Sequence, residues 1–423
     1  MRPSKTLSWL ALGGVALGLS ACGGGAQEPT KDADGNTVIK YWHAYSADSP
    51  ELKTLEGKVI PAFEKSHPGI KVESVPYPYD QLHQKLLTAT AGGTLPCLVR
   101  SDIIWVPELA KLGTLAPLSD DMSDFDQIAS KTYDGPLATT EYDGKNYGLP
   151  LDTNTRVLMY NQATLKKAGL SKPPATFDDM RKLADGLKGT GDYAFADNDT
   201  AGWNLLPWIW SAGGEMTNSD MTKATGYLNS PESVAGVQLL VDMYKQGEIP
   251  DIITGAKGGE ETAVGLPKGD YASMLDGPWM FPIFESQNPD FKLETAMMPA
   301  GDGGSISVVG GEDVVMTSSC PSKGDAEEFV RFLLSDEAQK DMAEVGQMPV
   351  LSGMGSELTD IKPYYGIFAK QLETARPRPP HPEYPKIEAI LRTEVQKAFT
   401  GDTSVQDALD SAAKQIDGIL ASS

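Results

Sequence analysis

The first part of the chain alternates short apolar runs with amphipathic runs, and this alternation constrains the fold more than any other feature. Three apolar runs have strand character: NTVIKYWHA, IKVESVPY and LVRSDII. Helices are predicted between and after them, first from Ser49-Pro50-Glu51 to His67, then at DQLHQKLLTATAGG and PELAKLG. Parallel strands need crossover connections, so this order predicts an α/β fold whose parallel sheet is covered by helices on both faces.

The middle of the chain is more helical and more aromatic, and the strand pattern resumes near Ser305. TFDDMRKLADGLKG, with Thr176 as its N-cap, and GWNLLPWIWSAGGE represent the helical middle, and SISVVGGEDVVMTSS marks the return to a strand. Two domains are expected. Removal of a 21-residue leader from 423 residues leaves 402, more than the roughly 300 at which a single core stops growing.

The N-terminus has the pattern of an export signal. Arg2 and Lys5 precede an apolar run of about 13 residues, which is shorter than the ~18 needed to span a membrane. Leu19-Ser20-Ala21-Cys22 resembles the lipobox of bacterial lipoproteins, which implies cleavage before Cys22 and a diacylglycerol on its sulfur. The alternative is an ordinary secretory peptide. Residues 22–36, polar and glycine-rich, are predicted to be a lipidated flexible tether after a 1–21 signal peptide.

Charge and motifs exclude several classes of function. The leader holds two of the 36 basic residues and no acid, so the mature chain has a net charge of −24, which disfavours nucleic acid as a partner. The sequence contains no nucleophile elbow, P-loop, dinucleotide fingerprint, zinc-protease motif or C-x-x-C pair, and its four histidines lack zinc-like spacing. No cofactor and no metal are therefore expected. Abundant acids leave open a membrane-anchored glycan hydrolase that uses paired carboxylates.

Six tryptophans of the mature chain lie mostly near the ends of predicted elements: Trp42, Trp105, Trp203, Trp208, Trp210 and Trp279. A tryptophan offers a flat apolar face and one N–H donor, which suits the C–H face of a sugar ring. The alternative is that these residues are large core side chains. We expect a core position for Trp42, inside a strand, and for Trp210, in the WIW run.

A series of segments carries a family resemblance over nearly the whole mature chain. In order, they are VIKYWHAYS…FEKSHPGIKVE, LLTATAGGTLP…DIIWVPELAKLGTLAPL, GLPLDTNTRVLMYN, TFDDM, WNLLPWIWSAGGE, LDGPWM, FLLSDEAQ and GQMPV. Together they resemble the extracellular solute-binding lipoproteins of bacterial ABC sugar importers, the maltose-binding-protein-like group. One departure is Pro96-Cys97-Leu98, where the family commonly has Pro-Asp-Val.

The resemblance implies a two-lobed periplasmic-binding-protein fold with a hinge and a ligand cleft between the lobes. Lobe one would comprise residues 37–152 and 305–340, and lobe two residues 153–304 and 341–423. Closure around a carbohydrate, in particular an oligosaccharide, would present the ligand to the permease subunits of an ABC transporter. The resemblance implies a monomer without enzymatic activity, extracytoplasmic and lipid-anchored to the outer face of the cell membrane.

The resemblance also implies ligand-binding residues: His43, Tyr45, Asp102, Asn154, Arg156, Trp203, Trp279, Glu312, Asp313 and Arg378. Alternatives remain open for several of them. His43 and Tyr45 could lie in a solvated loop. Asp102 could be a helix N-terminal acid, and Arg156 could form an interlobe salt bridge. The same fold could also bind an anionic or peptide ligand, although the sequence contains no concentrated Arg/Lys cluster for phosphate.

The resemblance further implies a role for the two remaining cysteines. In the related fold, the strand LVRSDII and the strand GEDVVMTSS are antiparallel neighbours, so Cys97 at the start of one lies beside Cys320 at the end of the other. Outside the cell, this placement implies a structural disulfide that closes a 223-residue separation. The alternative is two unrelated buried thiols.

Overall fold

The computed structural model describes residues 28–255 and 262–422 as two large β-sheets and one two-stranded sheet, flanked by helices. The strands are β1 (Thr37–His43), β2 (Ile70–Pro76), β3 (Leu98–Asp102), β4 (Glu141–Tyr142), β5 (Lys145–Asn146), β6 (Gly148–Thr155), β7 (Val157–Tyr160), β8 (Tyr193–Ala196), β9 (Tyr271–Asp276), β10 (Glu294–Ala296), β11 (Val308–Met316) and β12 (Arg376–Pro377). The predicted signal peptide and the predicted lipidation site Cys22 lie outside the described residues.

The helices cover both faces of the sheets. They are α1 (Pro50–Thr54), α2 (Ile60–Ser66), α3 (Tyr79–Gly92), α4 (Val106–Lys111), α5 (Leu118–Asp121), α6 (Phe125–Ala129), α7 (Asp134–Ala138), α8 (Gln162–Lys167), α9 (Phe177–Leu187), α10 (Gly202–Ser211), α11 (Pro231–Lys245), α12 (Thr262–Lys268), α13 (Met280–Gln287), α14 (Lys323–Leu333), α15 (Asp336–Ala343), α16 (Leu358–Ile361), α17 (Tyr365–Leu372), α18 (Tyr384–Thr400) and α19 (Val405–Leu420). A π-helical turn, Leu55–Val59, joins α1 to α2. Within the described ranges, every helix is too short or too polar to cross a membrane.

The sheet of lobe one has the order β12-β11-β3-β1-β2, and β6 also pairs with β11. Strand β1 is parallel to β2 and β3, whereas β11 is antiparallel to β3 and β6. The sheet of lobe two has the order β10-β7-β9-β8, in which only the β8–β9 pair is parallel. The predicted fold class, α/β with two lobes, is confirmed.

Local sequence signals set several boundaries. Ser49 Oγ accepts a hydrogen bond from the Leu52 N–H and so caps α1, and Thr176 caps α9 in the same way. Gly93 ends α3 in the left-handed region, at φ 65°, where a side chain would be strained. These caps satisfy backbone groups that would otherwise lack partners at the helix ends.

The chain crosses between the lobes more than once. Arg156 separates β6 of lobe one from β7 of lobe two, and the chain returns between β10 and β11. Helix α14 then packs Phe329 against Tyr41 of lobe one, whereas α17 packs Phe368 in the lobe-two cluster that contains Met274. The two large sheets are therefore joined by several covalent connections.

The predicted tether ends earlier than Asn36. Val38 N–H donates to the Thr30 carbonyl at 2.9 Å, and Lys31 forms a bridge with Thr37. The Asp32 carboxylate accepts from the Asn36 N–H at 2.9 Å and closes a turn. The residues just before Asn36 therefore belong to the folded body, because a side-chain-capped turn returns them alongside β1.

Cys97 and Cys320 lie side by side, with their Sγ atoms 2.15 Å apart and their Cα atoms 4.4 Å apart. Thr317 fixes this corner: its N–H donates to the Cys97 carbonyl at 3.0 Å and its hydroxyl donates to the Pro96 carbonyl at 2.6 Å. The start of β3 thus adjoins the end of β11, the arrangement on which the predicted pairing depends.

Candidate functional site

Two tryptophans of lobe two stack on each other beside lobe one. Trp203 lies in the first turn of α10 and Trp279 directly precedes α13, with ring centroids 6.3 Å apart and planes at 28°. Both rings are partly exposed. A Cβ atom at Gly310 would lie 2.6 Å from the Trp203 ring, so only glycine at this point of β11 lets the ring approach lobe one so closely.

A row of carboxylates lies across three strands of lobe one. In the sheet register, Glu312 on β11 is directly opposite Asp102 on β3 and Asp152 on β6. We call these three residues the carboxylate row. Side chains two residues apart on a strand share one face, so Arg100 projects on the same side as Asp102, and Asn154 on the same side as Asp152.

Arg100 is the buried centre of one ion-pair network. Its guanidinium donates to Asp152 at 2.9 Å and to Glu312 at 2.6 Å. It also donates to the Gln347 amide oxygen at 2.9 Å and lies 4.3 Å from the Tyr45 ring centroid. Tyr45 therefore packs against the guanidinium and helps to hold it in position. The sequence prediction missed Arg100, because its partners are set by the register of three strands.

Arg378, directly after β12, is the centre of a second network. Its guanidinium lies 3.2 Å from Asp102 and 4.0 Å from Glu388 on α18, and its Cζ is 5.6 Å from the Trp203 ring centroid. Tyr79, at the start of α3, donates its hydroxyl to Asp102 at 2.6 Å while 45% of the residue stays exposed. The sequence prediction identified Arg378 and Asp102 but missed their two partners.

Arg156 lies behind Trp203 within lobe two. It is 2% exposed, pairs with Asp197 at 2.9 Å and donates to the carbonyl oxygens of Trp203, at 3.3 Å, and Leu275. The interlobe salt bridge weighed for Arg156 is therefore wrong, because its carboxylate partner follows β8 of the same lobe. The contacts give Arg156 a positioning role: it holds the backbone that carries Trp203.

Asn154 presents a buried acceptor beside these groups. The residue is 6% exposed, and its Oδ1 accepts no hydrogen bond within the described part of the chain. A Cβ atom at Gly310 would lie 2.3 Å from this oxygen, which places it against β11 and next to the Trp203 ring. A buried acceptor without a donor costs free energy, which a ligand hydroxyl would recover.

Two of the expected site residues are not brought into this group. His43 is fully buried: its Nδ1 accepts from the Tyr45 N–H at 3.3 Å and its Nε2 lies 2.8 Å from the Ser74 hydroxyl. Burial, and secondly the charge of Arg100, lower the His43 pKa to about 3, so the ring is neutral.

Asp313 is the second of them. Its carboxylate is fully buried and accepts a hydrogen bond from the Thr139 hydroxyl at 3.2 Å. Asp313 thus has a partner directly after α7, whereas Glu312 pairs with Arg100.

Burial shapes the electrostatics of the site. Desolvation raises the Glu312 pKa well above its usual value, against the lowering effect of Arg100. Desolvation also raises the pKa of Asp276, at the end of β9, to about 7, although Arg156 opposes this shift. Among residues 28–255 and 262–422, no group of three or more His, Cys, Asp or Glu side chains is arranged to hold a metal ion. The site therefore offers stacking faces and hydrogen-bond acceptors.

The chain is similar to a large group of bacterial binding proteins. Residues 46–340 match the family described as bacterial extracellular solute-binding protein. A galactooligosaccharide-binding protein of Bacillus subtilis is 24% identical over 99% of this chain and 98% of that protein. An sn-glycerol-3-phosphate-binding periplasmic protein of Pectobacterium atrosepticum is 25% identical over 92% of each chain. A lipoprotein of Streptomyces antibioticus is 27% identical over 78% of this chain and 73% of that protein.

Solved structures share the fold. The ABC transporter solute-binding protein of Thermotoga lettingae, bound to alpha-D-tagatose, superposes with a TM-score of 0.83 at 28% identity, covering 90% of this chain and 99% of that one. The cyclic alpha-maltosyl-1,6-maltose binding protein of Arthrobacter globiformis gives a TM-score of 0.73 at 26% identity, covering 92% and 100%.

Proposed function

Because the chain belongs to the bacterial extracellular solute-binding protein family, we propose that it binds a carbohydrate between its lobes and delivers it to an ABC permease. The observation that carries the proposal is the stacked pair Trp203 and Trp279 beside the carboxylate row. Aromatic faces suit the C–H faces of sugar rings, and carboxylates suit their hydroxyl groups. Relatives named for galactooligosaccharide and for cyclic maltosyl-maltose support an oligosaccharide.

Each proposed contact has a defined task. Trp203 and Trp279 provide the stacking surface, and Asn154 Oδ1 accepts a hydrogen bond from a hydroxyl group. Asp102 and Glu312 accept from further hydroxyls while Arg378 and Arg100 hold them in place. Tyr45 and Arg156 act as positioning residues, and we leave His43 and Asp313 out of the ligand contacts because both are buried with other partners.

Ligand binding would favour closure, because a carbohydrate in the cleft would contact both lobes at once. Trp203 and Trp279 belong to lobe two, whereas Asp102 and Glu312 belong to lobe one. A closed form that exists mainly with ligand gives a permease one recognisable state. The protein thereby transports its ligand and transforms nothing, as other members of its family are binding proteins.

The proposal includes an extracytoplasmic, monomeric protein that is anchored through lipid on Cys22. The lipobox-like segment and the related Streptomyces lipoprotein support the anchor. The polar residues after Cys22 would hold the body away from the bilayer. We also propose that Cys97 and Cys320 form a structural disulfide, which their contact supports.

A thermal-shift screen of the mature chain with Cys22→Ala against mono- and oligosaccharides tests the proposal. A ligand at 100 times its dissociation constant adds about 2.7 kcal/mol to the free energy of unfolding and raises the melting temperature. Isothermal titration then gives the affinity, and chromatography of the mixture shows whether the sugar is returned unchanged. Failure of every sugar to stabilise the folded protein would contradict the proposed function, and turnover of the bound sugar would favour a hydrolase.

A further inference from the structure

Three buried arginines surround the proposed site, and each is already occupied by acids. Arg100 pairs with Asp152 and Glu312, and its guanidinium is 6% exposed. The Arg378 side chain is 4% exposed and lies 3.2 Å from Asp102 and 4.0 Å from Glu388.

The third arginine, Arg156, pairs with Asp197 and interacts electrostatically with Asp276. Six carboxyl groups therefore surround three guanidinium groups.

The cluster carries no surplus of positive charge in either protonation state. Burial raises the pKa of Glu312, Glu388 and Asp276. If these three keep their protons, the remaining acids balance the arginines, and if they ionise, the cluster is negative. A ligand anion would have to separate an existing pair and then lie beside the displaced carboxylate.

We propose that the carboxylate partners make the cleft an anion filter, which admits uncharged sugars and excludes sugars that carry phosphate or carboxylate groups. This inference rests on the proposed function and narrows its ligand class. Arginine is well suited to bind phosphate and carboxylate, so its pairing inside the protein removes the groups that such ligands need. Asp102 and Glu312 act both as hydroxyl acceptors and as the repulsive element that gives specificity.

The proposed filter distinguishes two classes of ligand for which relatives of this chain are named, an uncharged sugar and a phosphate ester. One relative is named for a galactooligosaccharide and another for sn-glycerol-3-phosphate. Overall similarity, at 24% and 25% identity, does not choose between them. The paired state of Arg100 does, because its guanidinium already donates to Asp152, Glu312 and Gln347.

The first test compares neutral and anionic probes on the mature chain with Cys22→Ala. Galactotriose, maltotriose and tagatose are the neutral probes, and trigalacturonate, glucose 1-phosphate and sn-glycerol 3-phosphate are the anionic ones. At low ionic strength, we expect at least one neutral probe to bind, and every anionic probe to bind at least tenfold more weakly. Equally tight binding of a neutral probe and an anionic probe would overturn the filter but not carbohydrate binding.

The second test neutralises one carboxylate partner of Arg378 and, in a separate variant, one of Arg100. Asp102→Asn removes one negative partner of Arg378, and Glu312→Gln removes one of Arg100. Each variant should bind trigalacturonate or glucose 1-phosphate at least tenfold more tightly than the wild type, and added salt should abolish the gain. Asp178→Asn makes the same charge change on the exposed surface of α9 and should give no gain.

Circular dichroism establishes whether each variant is folded. Because the two variants affect different arginines, one of them still tests the proposal if the other does not fold. If folded Asp102→Asn and Glu312→Gln both fail to gain anion binding, the filter is wrong. If the folded wild type binds no sugar of either class, the proposed function fails and the filter fails with it.

Discussion

Asp276 lets the electrostatics of the site be tested through protein stability. It ends β9, three residues before Trp279, and is 5% exposed. Burial raises its pKa from 3.8 to about 7, against the opposing charge of Arg156 and with a smaller raising effect from Asp197. Between these two pH values, the folded protein keeps a proton that the unfolded chain has released. Stability therefore falls as pH rises through this window.

The size of the effect follows from the two pKa values. Each pH unit of difference corresponds to about 1.4 kcal/mol, so the full window corresponds to roughly 4 kcal/mol. Asp276→Asn replaces the protonated acid by a neutral group of the same shape, whose oxygen can still accept from the Gly277 N–H. Relative to the wild type, the variant should gain roughly 3 kcal/mol of stability between pH 5 and pH 8, because about two pH units of the window lie there.

Urea unfolding of both proteins at several pH values between 5 and 8 measures this difference. Other buried acids also change stability with pH, so the relevant quantity is the difference between Asp276→Asn and the wild type at each pH. Asp178→Asn, on the exposed surface, should follow the wild type throughout. A constant difference between Asp276→Asn and the wild type across the range would refute the reasoning.

Three further predictions concern the site, the anchor and the cysteines. Trp203→Ala and Trp279→Ala should each weaken binding of the sugar found in the screen at least tenfold, about 1.4 kcal/mol, with little change in melting temperature; wild-type affinity in isothermal titration would contradict the stacking assignment. Cys22→Ala should release the full-length protein from membranes without altering affinity in solution, and continued co-sedimentation would contradict the lipid anchor. Replacing Cys97 and Cys320 by alanine should lower the free energy of unfolding by about 2 to 4 kcal/mol; two titratable thiols in unfolded, unreduced wild type would contradict the disulfide.

Among the proposed site residues, those at recognisable ends of elements could be selected from the sequence. Trp203 follows a loop at the start of a helix, and Trp279 follows a Gly-Pro turn, so both positions were visible without coordinates. Arg100 escaped prediction because its importance depends on strand register. Only the alignment of β3, β11 and β6 reveals that two acids, Asp152 and Glu312, converge on it.

Tyr79 and Glu388 could not be predicted for a different reason. They are separated by more than 300 residues in sequence, and they are linked through Asp102, at the end of β3, and Arg378, directly after β12. No periodicity within either helix marks such a contact. Local patterns identify side chains at the ends of elements, but a contact between distant segments depends on how the whole chain folds.

The two consecutive glycines of β11 explain how the site and the hinge region can act together. Gly311 has φ 142°, and a Cβ atom there would lie 2.4 Å from the Asp152 carbonyl oxygen, so β6 and β11 can be this close only without a side chain. Gly310, beside it, leaves the space into which Trp203 fits from lobe two. A ligand stacked on the Trp203 ring would therefore lie close to the strand that also carries Glu312. Because the chain re-enters the lobe-one sheet at β11, the strand that would lie close to the ligand is also one of the connections between the lobes.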